Sequence, residues 1–341
     1  MTPKVSIIIL NWNGWRDTIE CLESLFRITY LNYDVVIIDN GSTDESIKKI
    51  KEHAQGKIKV DSKFIEYSIM NKPIKIIEYT REEIFMGNRK KEFNNAQSFG
   101  KMILIKNDKN YGFAEGNNIG MRYVSEVLKS SYVLLLNNDT VVDIEFLREL
   151  VVIAESDKQI GILGPIVYNY DNPDEIQSAG TKLVLKKGKE HLFKSYEIDQ
   201  NGADNVINVD SVSGCALLAK SELFNKIGYL NSEYFAYWEE TDFCLRAKKN
   251  GYKIVCVPKA KIWHKGSTSA NKVSGLKEYY MTRNMFWFMK QHADKKDNFS
   301  FIIYFFAYEI WFKIGLYLLK YKNISLVQHF LKGIKDGMKK I

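Results

Sequence analysis

The apolar run Tyr132-Val133-Leu134-Leu135-Leu136 stops abruptly at Asn137-Asn138-Asp139, and no other feature constrains the fold of this chain so much. A continuous apolar stretch without period-two alternation predicts a strand buried on both faces, as in a mostly parallel sheet. The polar triplet then sits at the strand's C-terminal end, where open α/β sheets hold their ligands. One such triplet is ordinary Asx-rich turn chemistry; here the pattern recurs. Val5-Ser6-Ile7-Ile8-Ile9-Leu10 runs into Asn11-Trp12-Asn13-Gly14, and Val35-Val36-Ile37-Ile38 runs into Asp39-Asn40-Gly41-Ser42-Thr43-Asp44. A helical pattern follows each of these two, with Ser42 or Thr43 placed to cap the helix that carries Ile47 and Ile50. Three strand ends thus present short polar side chains to one rim, and Gly14 and Gly41 permit tight turns that bring backbone amides close to a bound group.

Asn110-Tyr111-Gly112-Phe113-Ala114-Glu115-Gly116-Asn117-Asn118 follows a further predicted strand over residues 102–105 and leads into a predicted helix over 119–128. The dinucleotide fingerprint follows the first strand of its fold, so glycines at this late position exclude an NAD enzyme. The densest acidic group is Tyr237-Trp238-Glu239-Glu240-Thr241-Asp242-Phe243-Cys244-Leu245-Arg246. Asp242 and Arg246 form a structural i,i+4 ion pair. Glu239 and Glu240 follow the aromatic stretch 234–238, and an acid against apolar walls has its pKa raised, which suits a proton acceptor. Asp139, a carboxylate flanked by amides, suits Mg²⁺ or Mn²⁺ bound mainly through substrate phosphates. His264 has no HxxxH or CxxC near it, so a closed zinc site is not expected.

In order and spacing, residues 5–14, 39–44, 110–118, 136–139, 164–165, 178–180, 213–218 and 235–246, with His264, Tyr279-Tyr280 and Arg283-Asn284, resemble the family-2 glycosyltransferases, and within them the rhamnosyltransferase-like branch that builds bacterial and archaeal cell-surface glycans. The resemblance covers nearly all of the first 285 residues. It implies an α/β protein of the GT-A fold, a Rossmann-like nucleotide-binding half joined to a mixed-sheet acceptor half, with a nucleoside-diphosphate-sugar donor. It also implies nucleotide-sugar contacts at Asn11, Asn13, Asp39, Asn110, Gly112, Phe113, Asn117, Asn137, Asn138 and Arg283. A divalent metal, Mg²⁺ or Mn²⁺, is implied at Asp139, with His264 completing its shell. The family's catalytic base is usually the Asp of a Glu-Asp pair. This chain has Glu239-Glu240, so Glu240 takes the base role with one extra methylene, or the role shifts to Glu239. The expected reaction is inverting transfer of a sugar to a hydroxyl of a glycan or polyprenyl-linked glycan. A sugar-nucleotide pyrophosphorylase would need a glycine-rich basic N-terminal loop, which residues 11–15 lack. The Glu240 departure keeps a second alternative open, a membrane-associated scaffold that retained the fold and lost the chemistry.

Residues from about 56 to 100 are more chain than the family needs at that point. Within them, 57–60 and 74–79 look like added strands, and a surface hairpin framing the acceptor is one reading of the insertion. The chain has 341 residues and 45% hydrophobic content, enough for one catalytic domain over 1–285 plus a helical extension over 286–341. Cys21, Cys215, Cys244 and Cys256 are scattered through apolar or helical contexts and read as reduced core thiols. Met1-Thr2-Pro3-Lys4 leads straight into the first strand, so no signal peptide and a cytoplasmic location are expected. From Lys290 onward ten lysines face four acids, interleaved with the runs 301–308, 310–312 and 316–319. Glu309 and Lys313 interrupt those runs at i,i+4 spacing. That argues for an interfacial helix on the anionic inner face of the cell membrane over a spanning one; the alternative is a helix packed on the catalytic domain. Lysines alternating with bulky apolar residues, without a recognition motif, exclude nucleic acid as a partner.

Overall fold

A computed structural model describes residues 2–87, 101–193, 205–266 and 275–339. Its strands are β1 (Val5–Asn11), β2 (Tyr33–Asp39), β3 (Lys75–Thr80), β4 (Lys101–Lys106), β5 (Tyr132–Asn137), β6 (Thr140–Val142), β7 (Ile160–Asn169), β8 (Ile176–Ser178), β9 (Thr181–Val184), β10 (Lys189–Leu192), β11 (Ile207–Asn208), β12 (Ala216–Lys220) and β13 (Lys253–His264). Among the described residues one 11-stranded sheet has the order β11-β13-β7-β12-β5-β1-β2-β4-β3, with β6 beside β13 and β8 beside β7. β5, β1, β2, β4 and β3 run parallel. The helices Trp15–Leu25 and Gly112–Tyr123 cover its two faces, which is why the central strands are apolar throughout. β12 then lies antiparallel to both β5 and β7. Direction therefore reverses between β5 and β12, and the polar ends of β1, β2 and β5 gather beside that reversal.

The segment from 56 to 80 departs from the expected strands. Residues 57–60 form no strand; Val60 is buried and Ile58 packs against the core without a ladder partner. The second expected strand is present as β3, but it pairs in parallel with β4 at the sheet edge and makes no hairpin. The linking chain is tied down by Glu23, fully buried on Trp15–Leu25, whose carboxylate meets Lys72 Nζ at 2.8 Å, His53 Nε2 at 3.1 Å and the Ser68 amide at 3.2 Å. Those partners, above all the His53 and Lys72 hydrogen bonds, outweigh the cost of burial and hold the carboxyl at about 2. The remainder of the insertion, from 88 to 100, lies outside the described residues.

Two further expectations changed in detail. Ser42 does not cap the helix Ser46–Ala54; its hydroxyl accepts from the Asn13 amide at 3.0 Å and from Asn11 Nδ2 at 3.1 Å. The runs on either side of Pro258 are one strand, β13, with an irregularity between Val257 and Lys261. All four cysteines are buried and free, and burial pushes each thiol up to about 12.

The C-terminal chain is helical from Lys295 to Lys320, with π-type turns at Phe305–Glu309 and Leu316–Lys320, and ends in the helix Ile324–Met338. The suggested domain boundary at 285/286 falls inside the helix Leu276–His292. Phe301, Phe305 and Tyr317 enter a buried cluster with Phe286, Phe288, Met289, Phe330, Tyr234 and Trp238, and His292 Nε2 meets the buried Asp242 at 2.7 Å. The opposite face leaves Phe299, Ile303, Trp311, Phe312 and Leu319 exposed. This helix therefore packs on the domain by one face, as the second alternative has it, and presents apolar surface outward by the other. Phe305→Ala is expected to lower stability by about 3–5 kcal/mol, and Trp311→Ala by less than about 1 kcal/mol. Urea unfolding decides this, since equal costs would mean that the two faces are not differently buried.

Candidate active site

A cavity of about 340 Å³ opens at the gathered strand ends. Asn137, Asn138 and Asp139 line it from the end of β5, Asn110, Gly112 and Phe113 from the loop after β4, and Ser213 and Gly214 from the approach to β12. Phe235, Tyr237, Glu239 and Glu240 close one side, and Leu276, Lys277 and Tyr280 reach in from the helix Leu276–His292.

Asn40, at the end of β2, anchors the loop after β4. Its Oδ1 accepts from Asn107 Nδ2 at 3.0 Å and the Tyr111 amide at 3.1 Å, and its Nδ2 donates to Asn110 Oδ1 at 3.0 Å and the Gly112 carbonyl at 3.1 Å. Gly112 has φ +80°, and a Cβ there would lie 2.5 Å from the Phe235 ring. The Phe113 and Ala114 amides both donate to the Phe235 carbonyl, at 2.6 and 3.1 Å. Only glycine permits this approach of the two loops.

Several of the expected nucleotide contacts lie behind the cavity wall. Asn11 is buried, donates to Asp39 at 2.8 Å and accepts from Thr18 at 2.9 Å. Asp39, also buried, accepts from the Ser42 amide at 3.1 Å with its other oxygen. Asn13 accepts from the Thr43 and Asp44 amides at 2.8 and 3.2 Å. Asn117 donates to the Phe113 carbonyl at 2.9 Å. Arg283 donates to the Glu233 and Tyr234 carbonyls at 2.9 and 2.8 Å and lies 4.1 Å over the Trp287 ring. In this structure these five shape the loops around the cavity, whereas Asn110, Gly112, Phe113, Asn137 and Asn138 face into it.

Asp139 and His264 converge at its edge. The antiparallel pairing of β6 with β13 sets Thr140 opposite His264, and so brings Asp139 Oδ1 within 3.2 Å of His264 Nε2. His264 Nδ1 meets Gln177 Oε1, an acceptor, at 2.7 Å, so Nδ1 carries a hydrogen and Nε2 is the ring nitrogen turned to the carboxylate. A carboxylate oxygen and an imidazole nitrogen set at that distance are ligand types that fit a divalent cation. No cluster of three or more His, Cys, Asp or Glu occurs among the described residues. Two protein ligands suffice for Mg²⁺ or Mn²⁺ when phosphate oxygens and water supply the rest.

Glu239 and Glu240 open the helix Glu239–Lys249, directly after a loop in which Phe235, Tyr237 and Trp238 all have positive φ. One oxygen of each carboxyl, Oε2, is buried without a hydrogen-bond partner among the described residues. Burial, reinforced by the Glu240 charge, raises Glu239 well above the ordinary carboxyl range. Burial and then the Glu190 charge raise Glu240 to about 7, against a smaller opposing effect of backbone amides. Asp242 instead pairs with Arg246 at 2.8 Å, as its spacing predicted.

The profile described as Glycosyl transferase family 2 matches residues 6–98, and that described as Glycosyltransferase like family 2 matches residues 95–285. The chain belongs to glycosyltransferase family 2. It is 31% identical to the low-salt glycan biosynthesis hexosyltransferase Agl10 of Haloferax volcanii over 42% of its own length and 46% of that protein. It is 23% identical to the dTDP-rhamnosyl transferase RfbF of Shigella flexneri over 56% of its length and 64% of that protein. The chain thus spans roughly half to two thirds of these relatives. A mannosyltransferase of Pyrobaculum calidifontis, solved with GDP-Man and Mn²⁺, superposes with a TM-score of 0.55 at 11% identity, covering 100% of this chain and 88% of that one. The shared fold is GT-A.

Lys277 lines this cavity, Gln177 backs His264 and Glu190 holds Thr241; none of the three was singled out in the sequence. Gln177 precedes the recognised Ser178-Ala179-Gly180, the one local signal available; Glu190 and Lys277 have none. A pH-dependent stability follows from Glu240. It ionises near 4.5 when unfolded and near 7 when folded, so the folded state holds more protons between those values and loses stability as pH rises through them. Glu240→Gln should therefore gain stability over the native chain at about pH 8 and gain less at about pH 5, measured by urea unfolding without donor or metal. The same difference at both pH values would show an unshifted carboxyl.

Proposed function

We propose that this chain is an inverting glycosyltransferase, moving a sugar from a nucleoside-diphosphate-sugar to a hydroxyl of a glycan or polyprenyl-linked glycan in cell-surface polysaccharide or glycoconjugate synthesis. The observation that carries this reading is a raised carboxyl, Glu240, in the same cavity as the Asp139–His264 pair. A carboxyl ionising near neutrality is well matched to accepting a hydroxyl proton. Glu240 takes that proton as the acceptor oxygen bonds to the anomeric carbon, and the bond from that carbon to the diphosphate breaks with its electron pair leaving on oxygen. No covalent intermediate forms, so the configuration inverts. A bound Mg²⁺ or Mn²⁺ held by Asp139 and His264 supplies charge neutralisation on the diphosphate. Lys277, a cavity-lining cation, fits the same purpose, because Arg283 is committed to backbone carbonyls. Asn110, Gly112, Phe113, Asn137 and Asn138 hold the nucleotide and ribose. The hexosyl and dTDP-rhamnosyl relatives make hexose and rhamnose donors the first to try.

The test is thermal stabilisation by a panel of UDP-, GDP- and dTDP-sugars with Mn²⁺, followed by transfer assays. Glu240→Gln should keep the stabilisation and lose at least about 100-fold in transfer, and Asp139→Ala should lose the metal-dependent part of donor binding. Wild-type transfer by Glu240→Gln, or donor binding indifferent to EDTA, sinks the respective role.

The exposed aromatic face and the lysines around it support attachment to the anionic cytoplasmic face of a membrane. The stretch Lys295–Lys320 is long and apolar enough to cross a bilayer by length and composition. Its buried face and the ion pair of Glu309 with Lys189 at 2.7 Å favour lying along the surface. Replacing Trp311, Phe312 and Leu319 together by Ser should abolish co-sedimentation with phosphatidylserine vesicles at low salt and leave unfolding unchanged. Undiminished sedimentation would remove this face from the interface.

A further inference from the structure

The hairpin of β9 and β10 lies between the catalytic helix Glu239–Lys249 and the C-terminal helical stretch. Its turn packs tightly: Gly188 has φ +59°, and a Cβ there would lie 2.7 Å from the Phe301 ring. Two neighbouring residues on β10 then reach in opposite directions, as successive strand residues do. Lys189 Nζ meets Glu309 Oε2 at 2.7 Å and donates to the Tyr304 hydroxyl at 2.8 Å, both on the helical tail. Glu190 is exposed overall, yet its carboxylate reaches the catalytic helix, where Oε1 accepts from the Thr241 hydroxyl at 2.7 Å. Thr241 is the residue after Glu240, and its hydroxyl also lies 3.3 Å from that of Ser211.

We propose that Glu190 is a positioning residue for the proton acceptor: it fixes Thr241 in the first turn of the catalytic helix and sets a like charge beside Glu240, held there by the grip of Lys189 on the tail. This rests on the reading of Glu240 as the base. Among the described residues the groups facing Glu240 are few. Glu239 lies beside it on its own helix, and Cys244 one turn on; Cys215 faces it from the start of β12, with Asp139 beyond, and Glu190 from the hairpin. Lys277 lines the same cavity. Both thiols are pushed up to about 12 and stay neutral, so the carboxyls dominate the field at Glu240. Burial is the largest cause of its raised ionisation and Glu190 the next. Glu190 is itself raised by the protein packed around its carboxylate, although the residue as a whole is exposed, against the opposing Thr241 bond, so the carboxyls release their protons as an interacting set. Removing one member lowers the midpoint of the others.

The experiment is an infrared titration of the protonated-carboxyl band in the full chain, which needs no donor. The native band minus that of Glu240→Gln reports Glu240 together with the shifts its loss causes in Glu239 and Glu190, and its midpoint is read as that of the set containing Glu240. Glu190→Gln keeps the side-chain size and an oxygen for Thr241, and its Glu240 midpoint should fall by about one pH unit. Glu190→Asp, which keeps the charge, should restore most of the native midpoint. A midpoint unmoved in Glu190→Gln overturns the proposal, and so does one that Glu190→Asp leaves as low as Gln does. The transfer assay separates the two readings. Undiminished transfer by Glu240→Gln refutes Glu240 as the base whatever the titration gives, whereas an inactive Glu240→Gln with an unmoved midpoint in Glu190→Gln refutes only the role of Glu190.

Discussion

The amide of Asn284 donates to three carbonyls of one loop, those of Tyr234 at 2.9 Å and of Ala236 and Tyr237 at 2.8 Å, and the wall of the cavity that carries Glu239 and Glu240 depends on this contact. The loop cannot hold its shape alone. Phe235, Tyr237 and Trp238 all have positive φ, a conformation that costs non-glycine residues on the order of 1 kcal/mol or more each. Asn284 is fully buried, so its amide satisfies loop carbonyls that water cannot reach. Arg283 holds Glu233 and Tyr234, the Trp238 indole donates to the Met281 carbonyl at 3.1 Å, and Phe235 stacks on Tyr280 with centroids 5.0 Å apart. With the loop so held, the helix after it starts with Glu239 and Glu240 in the cavity, and the Phe235 carbonyl receives the amides that open the helix Gly112–Tyr123.

The same constraint makes the C-terminal chain part of the site. Asn284, Arg283 and Tyr280 lie on the helix Leu276–His292, which carries Phe286, Phe288 and Met289 into the cluster shared with Phe301, Phe305 and Tyr317. The aromatic side chains that fix the loop therefore also remove water from the carboxyls that follow it. That desolvation is the first cause of the raised ionisation of Glu239 and Glu240. On the other side of the cavity, the reversal of strand direction between β5 and β12 leaves room for β6 to turn back onto β13. That turn brings Asp139 to His264, residues more than a hundred apart in the chain.

What was legible in the sequence was whatever repeats locally. The apolar runs marked β1, β2 and β5, and the Asx residues after them marked the rim where the cavity opens, because a strand buried on both faces must be apolar and must stop where polar groups begin. The Asp242–Arg246 spacing gave its ion pair for the same local reason. Residues 57–60 read as a strand because their pattern alternates, but a strand needs an unfilled edge, and β3 took the one beside β4. Ser42 read as a helix cap by its position and was drawn instead to Asn11 and Asn13, partners near it only in space.

The sequence alone determined the class of fold, the rim at which the cavity opens and the chemical kinds of side chain at that rim, since these follow from burial, periodicity and turn preference along a short stretch of chain. Only the tertiary structure decided which of the polar side chains face the cavity and which support it from behind, as with Asn11, Asp39 and Arg283. It alone brought Gln177 to His264 and Glu190 to Thr241, and it alone showed that the tail packs by one face while exposing the other. Each of these depends on the meeting of segments far apart in the chain, and on charges and solvent exclusion that exist only once those segments have met.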